Sequence, residues 1–259
     1  MIRETCFRSF ALAACTPALI VTACGDDSAQ DPQTSPSVST TDANSGAASS
    51  NAPEPTEKID TERTFGSASF RADVWADNWF ALYVNGELVG EDSVPITTER
   101  SFNAETITFD ATYPLTIAIE AKDFKETDSG LEYIGERNQQ MGDGGIVAQI
   151  TDTSSGDVAA AANAAWFSLV VHRAPLIKDC EKDSNPDDNC QFEITEIPTN
   201  WASAEFNDNA WTEATKWTEN DVGPKDGYNQ IPWDTSARLI WGSDLEVDNT
   251  VLLRMVVEG

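Results

Sequence analysis

The chain contains a single histidine, His172, so any Ser-His-Asp or Cys-His catalytic system would have to use it. His172 ends the apolar run 166–171, which is typical of a buried strand, and we expect it to have a structural role. One histidine also cannot complete an ordinary zinc site when the available cysteines are expected to be oxidised. The sequence therefore predicts no catalytic residues. A carboxylate pair for glycoside hydrolysis stays open, because its spatial separation cannot be read from 44 acidic residues.

Two sets of side-chain oxygens could bind calcium, which takes carboxylate, amide and carbonyl ligands. Asp183, Asn185 and Asp187 stand at alternate positions, as at the start of an EF-hand loop. The match is partial, because Asp188 stands where the turn requires glycine and Ile194 where a bidentate glutamate belongs. A solvated acidic loop is the stronger interpretation of this segment. The second candidate set consists of Asp77, Asn78 and Asp208. Calcium is the one cofactor that the sequence leaves open.

Aromatic side chains are candidates for glycan binding, because a flat ring can pack on the apolar face of a sugar. Most of the eight tryptophans are expected in the core, among them Trp75, Trp166 and Trp241 in strand-like runs. Tyr228 and Trp233 differ, because they lie in a loop rich in glycine and proline, where binding residues are often found. We therefore name these two as candidate ligand contacts, although packing is the stronger alternative for both.

The formal net charge of −28 bears on the choice of partners. Such a surface repels nucleic acid and anionic membrane faces, so we expect no nucleic-acid partner. It is compatible with calcium, whose ligands are oxygens. Solubility alone is the stronger explanation of the charge.

The N-terminus predicts export and lipid attachment. Residues 1–23 combine Arg3 and Arg8 with a short apolar stretch that is below the roughly 20 residues of a membrane span, which is typical of a signal peptide. The stretch ends in a segment, 21–24, that resembles the lipobox of bacterial lipoproteins, in which the cysteine is lipidated. We therefore expect a lipid on Cys24, and Gly25 after it favours the outer membrane by analogy with that family. Cys15 ends a second, weaker match.

The cysteine count and the composition divide the rest of the chain into a predicted tether and a predicted folded domain with one disulfide. Once the signal has been removed and Cys24 carries lipid, Cys180 and Cys190 remain, and an oxidising compartment favours a disulfide between them. Its short loop gives a stabilisation of about 2–3 kcal/mol. Residues 24–62 are rich in Ser, Thr, Pro and Ala and predict a disordered tether. Residues 63–259 contain all eight tryptophans and predict one domain.

Strand signals dominate this domain. Asn85-Gly86 stands between two apolar runs and predicts a hairpin, because a type I′ turn needs positive φ at both positions. Further strands are predicted at 106–109, 115–121, 145–151, 165–171, 238–241 and 251–257. The alanine-rich stretch 158–165 is the one candidate for a short helix. The fold class is therefore all-β, a jelly roll or β-sandwich.

Three segments resemble the galactose-binding-like jelly rolls that accompany many glycoside hydrolases. They are the hairpin 76–90 (ADNWFALYVNGELVG), Trp201 with 206–211 (FNDNAW), and 237–242 (ARLIWG) with 252–257 (LLRMVV). The resemblance implies a jelly roll that spans most of residues 68–257, with Trp211 as a packing anchor. Many members bind glycans, and some bind calcium structurally. The acidic insertion 172–200 departs from the family pattern, and fold alone does not assign a ligand.

These observations lead to three hypotheses for function. The first is an envelope-anchored, non-catalytic module that binds a polysaccharide, facing the periplasm or the cell surface. The second is a structural lipoprotein of the envelope whose partner is another protein. The third, a glycan-processing enzyme, is disfavoured by the lone histidine. Exposed aromatic rings in a groove would favour the first, and a broad apolar patch would favour the second.

Replacing Cys24 with serine is expected to abolish lipid attachment, because the thioether needs the cysteine sulfur. Expression of the full chain with a radiolabelled fatty acid, followed by detergent phase partitioning, measures this. The wild type and the control variant Cys15→Ser should be labelled, whereas Cys24→Ser should not. Label that follows Cys15 would contradict the assignment.

Overall fold

The computed structural model describes residues 66–259, which form a sandwich of two antiparallel sheets and a small hairpin. The signal peptide, Cys24 and most of the tether lie outside the described residues. The strands are β1 (Ala68–Asp77), β2 (Trp79–Val84), β3 (Glu87–Glu91), β4 (Ala104–Ala111), β5 (Leu115–Lys122), β6 (Leu131–Glu132), β7 (Gln140–Met141), β8 (Gly145–Asp152), β9 (Val158–Ala161), β10 (Phe167–Arg173), β11 (Glu193–Ile194), β12 (Thr212–Glu213), β13 (Thr215–Trp217), β14 (Leu239–Trp241) and β15 (Asp248–Val257).

The two sheets differ in strand number. The six-stranded sheet has the order β13-β14-β8-β1-β4, with β9 also paired to β8. The seven-stranded sheet has the order β11-β10-β15-β5-β2-β3, with β12 also paired to β10. Strands β6 and β7 pair with each other in a separate two-stranded sheet. A compact unit spans Asp60–Gly259, so a fragment beginning at Asp60 contains every strand of both sheets.

Alternation along the strands builds the core between the sheets, because successive side chains point to opposite faces. On β5, Leu115, Ile117 and Ile119 are buried against the other sheet, while their neighbours face outwards. Phe70 and Val74 on β1 face them from the six-stranded sheet. Trp75, Trp166 and Trp241 are fully buried, as predicted. The all-β fold class is therefore confirmed.

The predicted hairpin at Asn85-Gly86 is confirmed. It joins β2 and β3, and both turn residues have positive φ, 51° and 89°. The expected short helix in 158–165 is wrong, because Val158–Ala161 forms β9 and pairs with β8. Alanine favours helix, but this stretch is too short for a stable isolated helix, and strand pairing satisfies its backbone groups instead.

Helical segments in the described range are single turns. They are α1 (Pro186–Asn189), α2 (Glu219–Val222) and the 3₁₀ turns Lys178–Lys182 and Tyr228–Gln230. Within this range, no helix has the length and apolar character required to cross a membrane. The disulfide between Cys180 and Cys190 is present and closes the loop that contains α1.

A polar anchor fixes a loop over one part of the outer face of the seven-stranded sheet. Arg254, on the outward side of β15, is only 1% exposed, and its Nε donates to Asp208 Oδ2 at 2.9 Å. Its guanidinium also donates to the backbone carbonyls of Trp201 and Ser203. Trp211 stacks on Trp201 in the same loop and packs against Val171 and Leu252 of the sheet. The Trp211 ring therefore anchors the loop to the sheet. Loop 201–211 therefore covers the sheet around Arg254.

Replacing Arg254 with methionine is expected to lower the free energy of unfolding by about 3–5 kcal/mol, because Asp208 and buried carbonyls lose their partner. Urea unfolding of Asp60–Gly259 measures this. The exposed Arg137→Met is the matched control and should change stability by less than about 0.5 kcal/mol. Equal stability of the two variants would show that Arg254 does not anchor the loop.

Candidate functional site

An open strip crosses the remaining outer face of the seven-stranded sheet. The strand registers align Trp79 with Lys122, Lys122 with Thr250, Thr250 with His172, and His172 with Ile194. These five side chains therefore form one transverse row from β2 to β11. Four strand spacings of about 4.8 Å make this row roughly 19 Å long.

Two adjoining hollows follow this row. The first has a volume of about 410 Å³ and the second about 500 Å³. They share Ile96 and Lys122, so they form one continuous groove. We call this the outer-face groove, and the residues that line it are Trp79, Glu91, Asp92, Ser93, Pro95, Ile96, Glu120, Lys122, Asp123, Phe124, Lys125, Val171, His172, Ile194, Thr195, Ile197 and Thr250.

The β2 end of the groove combines an aromatic ring with paired charges. The Lys122 ammonium lies 4.5 Å from the centroid of the half-buried Trp79 ring and 2.9 Å from Glu120 Oε1. A cation over a ring face is attracted by the ring quadrupole. Burial raises the pKa of Asp92 to about 6, although the backbone N–H of Val94 opposes the rise. This end therefore offers an aromatic surface flanked by hydrogen-bonding groups.

The β10 end is apolar at its walls and polar at its base. Ile96, Phe124 and Ile197 form its walls, and the buried His172 lies at its base. Burial lowers the pKa of His172, and the nearby Lys125 lowers it further, so the neutral imidazole is favoured near pH 7. An elongated ligand with apolar faces and hydroxyl groups would match this arrangement.

A cluster of buried carboxyl groups lies at the end of the sandwich. Burial raises the pKa of Asp77 to about 8, and Asp143 and Glu132 raise it further by like charge, while Lys225 opposes them. Burial also raises the pKa of Asp123 far above its usual range, with Asp77 as its strongest charged neighbour. Asp77 Oδ2 and Asp123 Oδ2 are buried, and within residues 66–259 neither atom has a hydrogen-bond partner. The cluster therefore retains protons at pH values where exposed carboxyl groups are ionised.

The structure places Tyr228 and Trp233 on the outer face of the six-stranded sheet. Tyr228 is only 9% exposed; its ring packs edge-on against Trp75, and its hydroxyl donates to Glu219 Oε1 at 3.0 Å. Burial and Glu219 raise the pKa of Tyr228 to about 12. The half-buried Trp233 packs beside it and donates from its ring nitrogen to the Tyr228 carbonyl. Both rings thus serve packing, and ligand contact by either stays a prediction.

The predicted calcium loop is hydrogen-bonded within the protein. Asp183 Oδ1 accepts from the backbone N–H of Asn185 and from the Asn189 side chain, at 2.8 and 2.9 Å. Asp187 Oδ1 accepts from Thr127 Oγ1 at 2.6 Å. In residues 66–259, no three histidine, cysteine or acidic side chains converge as a metal site. Calcium binding stays a prediction.

The second predicted calcium set is not brought together. Asp77 and Asn78 lie where β1 ends, and Asn78 accepts from the backbone N–H of Phe124 at 2.6 Å. Asp208 is paired with Arg254 on β15. Thr250, four residues before Arg254 on the same strand, stands in the transverse row with Trp79, the residue that follows Asn78. That offset corresponds to roughly 13 Å of strand. Asp77 instead belongs to the buried carboxyl cluster.

The groove residues were missed by the sequence analysis. The sequence feature that could have indicated them is the alternation of side chains along β2 and β5, where Trp79, Glu120 and Lys122 are half-buried among buried neighbours. The row itself depends on the pairing of five strands, which local patterns do not specify. Comparisons of the chain with protein-family models, with curated proteins and with solved structures found no match.

The buried carboxyl cluster predicts that stability depends on pH. Because the folded pKa of Asp77 is about 8 and its ordinary value is 3.8, its contribution is complete below about pH 4 and is lost as pH rises to and through about 8. Asp77→Asn keeps the neutral shape, so it should lose less stability than the wild type between about pH 5 and about pH 9.

Urea unfolding of Asp60–Gly259 at the two pH values measures this difference. Asp157→Asn, at the exposed residue just before β9, is the matched control and should follow the wild type. An equal loss of stability in wild type and Asp77→Asn would show that Asp77 is ionised in the folded protein.

Proposed function

We propose that this protein is an envelope-anchored, non-catalytic module that binds a polysaccharide chain in the outer-face groove. The observation that carries the proposal is the transverse row from Trp79 to Ile194, which offers an extended ligand a continuous surface across five strands. Binding sites of this kind combine apolar surface with a few placed polar groups.

The chemistry of the groove supports a sugar ligand. Trp79 offers a half-buried ring, and Ile96 and Phe124 offer further apolar surface for the C–H faces of sugar rings. Glu91, Thr250 and the other polar lining groups can exchange hydrogen bonds with hydroxyls. The resemblance to galactose-binding-like jelly rolls supports the same ligand class.

The location we propose is the outer membrane, with the domain facing the periplasm or the cell surface. A lipid on Cys24 would hold the chain at the membrane, and the tether up to residue 62 would let the domain reach a polymer. The acidic composition disfavours binding to anionic membrane faces and to nucleic acid. Calcium could assist binding, so it is tested directly below.

One observation favours the alternative of an envelope protein partner. The insertion 172–200 exposes several large apolar side chains, with Ile194 59% and Phe192 46% exposed. Exposed apolar patches are typical of protein interfaces. The exposed side chains are Leu176, Ile177, Phe192, Ile194 and Ile197. Two of them, Ile194 and Ile197, also line the groove, so the two hypotheses compete for the same surface.

Binding of Asp60–Gly259 to an array of plant, algal and bacterial polysaccharides, with calcium and with chelator, tests the proposal. Replacing Trp79 with alanine should weaken binding by about fivefold or more, because a stacked ring contributes about 1–3 kcal/mol. Trp233→Ala is the matched control for the site predicted from the loop, and it should bind like the wild type once equal folding is verified by circular dichroism.

Three other outcomes would change the assignment. Loss of binding in Trp233→Ala but not in Trp79→Ala would move the site to the six-stranded sheet. Loss of binding with chelator alone would establish the calcium requirement. Absence of binding across the array would contradict the polysaccharide proposal and leave the protein partner as the hypothesis to pursue.

A further inference from the structure

We infer that β11 accepts an added β-strand from a partner protein, an extended segment in which basic side chains alternate with apolar ones. β11 (Glu193–Ile194) is the last strand of the seven-stranded sheet. An edge strand leaves backbone groups unpaired, and an extended chain can pair with them as a further strand. The inference goes beyond the polysaccharide proposal and does not rest on it.

The backbone of Ile194 is directed away from the sheet. The N–H of the next residue, Thr195, donates to the Val171 carbonyl at 2.8 Å. Because consecutive residues of an antiparallel strand direct their backbone groups to opposite sides, the N–H and C=O of Ile194 point outward. Among residues 66–259, no strand pairs with β11 on that side. Ile194 therefore offers one donor and one acceptor to an incoming strand.

The side chains at this edge form an apolar surface. Nine large apolar side chains are exposed in residues 66–259, and five of them lie in the insertion that contains β11. Ile194 and Phe192 are two of the five, and both adjoin His172, Ile194 through the strand register and Phe192 through a ring stack. They therefore share one face of the sheet. An apolar side chain of an added strand would lie opposite Ile194 and be buried with it.

The other edge of the same sheet is built differently. The pairing of β3 with β2 shifts its register between Leu82 and Tyr83. Irregularities of this kind twist an edge strand away from regular pairing and protect it from addition. Of the five residues of β3, Leu88 alone is a large, exposed apolar side chain. β3 is therefore the internal comparison for β11.

The charge around β11 favours a basic partner. Glu193 and Glu196 are exposed, and neither forms an ion pair in the described part of the chain. Residues 173–197 contain seven acidic and three basic side chains. Two of these cations are engaged elsewhere, because Arg173 and Lys178 pair with carboxylates outside the segment. A lysine or arginine opposite Glu193 would form a favourable cross-strand pair, whereas an acidic residue there would be repelled.

Two other occupants do not match this chemistry. A second copy of the chain would bring its own Glu193 and Glu196 to the same edge, so like charges would meet. The tether, residues 24–62, contains eight acidic side chains, one basic side chain and two large apolar ones, so it lacks the alternation of basic and apolar residues. A basic segment of another protein is therefore the occupant that fits.

Four short fluorescent peptides test the inference by anisotropy titration with Asp60–Gly259 at physiological ionic strength. The first alternates lysine with valine, and the second alternates glutamate with valine. The third and fourth are the lysine–valine peptide with N-methyl groups on the backbone nitrogens of its valines or of its lysines. A valine opposite Ile194 must direct its N–H to β11, so the first and fourth peptides should bind and the second and third should not.

Variants of the protein locate the contact. Ile194→Pro removes the outward N–H and leaves the bond from Thr195 to Val171, so it should weaken binding of the lysine–valine peptide about fivefold or more. Ile194→Val keeps the N–H and an apolar side chain and should bind like the wild type. Circular dichroism and the urea midpoint verify that both variants are folded.

A charge reversal tests the partner's charge independently of the proline. Glu193→Lys should weaken binding of the lysine–valine peptide about threefold or more and strengthen binding of the glutamate–valine peptide. Glu87→Lys, at an exposed position of β3, makes the same change in net charge and should leave both affinities unchanged.

Three results would overturn the inference. They are absence of binding by the lysine–valine peptide, equal binding by the peptide with N-methylated valines, and equal effects of Glu193→Lys and Glu87→Lys. The second and third would show a general attraction of cations to an acidic protein. None of these results bears on the polysaccharide array, so strand addition and sugar binding succeed or fail separately.

Discussion

The ion pair between the buried Arg254 and the partly exposed Asp208 determines which part of the seven-stranded sheet is covered. A guanidinium placed on the outer face of a sheet can be buried only if its donors find acceptors, and loop 201–211 supplies a carboxylate and several carbonyls. The loop in turn carries Trp201 and Trp211 onto the sheet. Its coverage is centred on Arg254, and the groove lies at the level of Thr250, four residues or roughly 13 Å away along the same strand.

The outer face of the six-stranded sheet is also covered by a loop that polar contacts hold in place. The ring nitrogen of Trp75 donates to the Asp226 carbonyl, and the Gln149 side chain accepts from the backbone N–H of Asp234. These polar contacts hold the segment that carries Tyr228 and Trp233 against the sheet. The aromatic loop that suggested a binding site is therefore part of a cover, whereas the binding surface we propose lies on the opposite sheet. An aromatic residue in a loop is informative only once the surface beneath it is known.

Local patterns predicted much of the fold and little of the site. The alternation of β5 and the Asn85-Gly86 turn are short-range features, so the sequence specified them directly. Helix propensity misled the interpretation of 158–165, where pairing with β8 outweighs the preference of alanine. Residues 79, 122, 250 and 172 are distant in sequence and become neighbours through strand register alone. The protonated carboxyl cluster is a similar case, because burial creates the pKa shift of Asp77.

Hydrogen–deuterium exchange of Asp60–Gly259 with and without its tightest-binding oligosaccharide tests whether the ligand lies in the outer-face groove. Binding in the groove is expected to slow exchange in peptides that cover 91–96, 120–125 and 172–197, which border the groove. Peptides that cover 223–237 should exchange at the same rate in both samples. Protection confined to 223–237, with unchanged exchange along the groove, would show that the ligand binds at the six-stranded sheet instead.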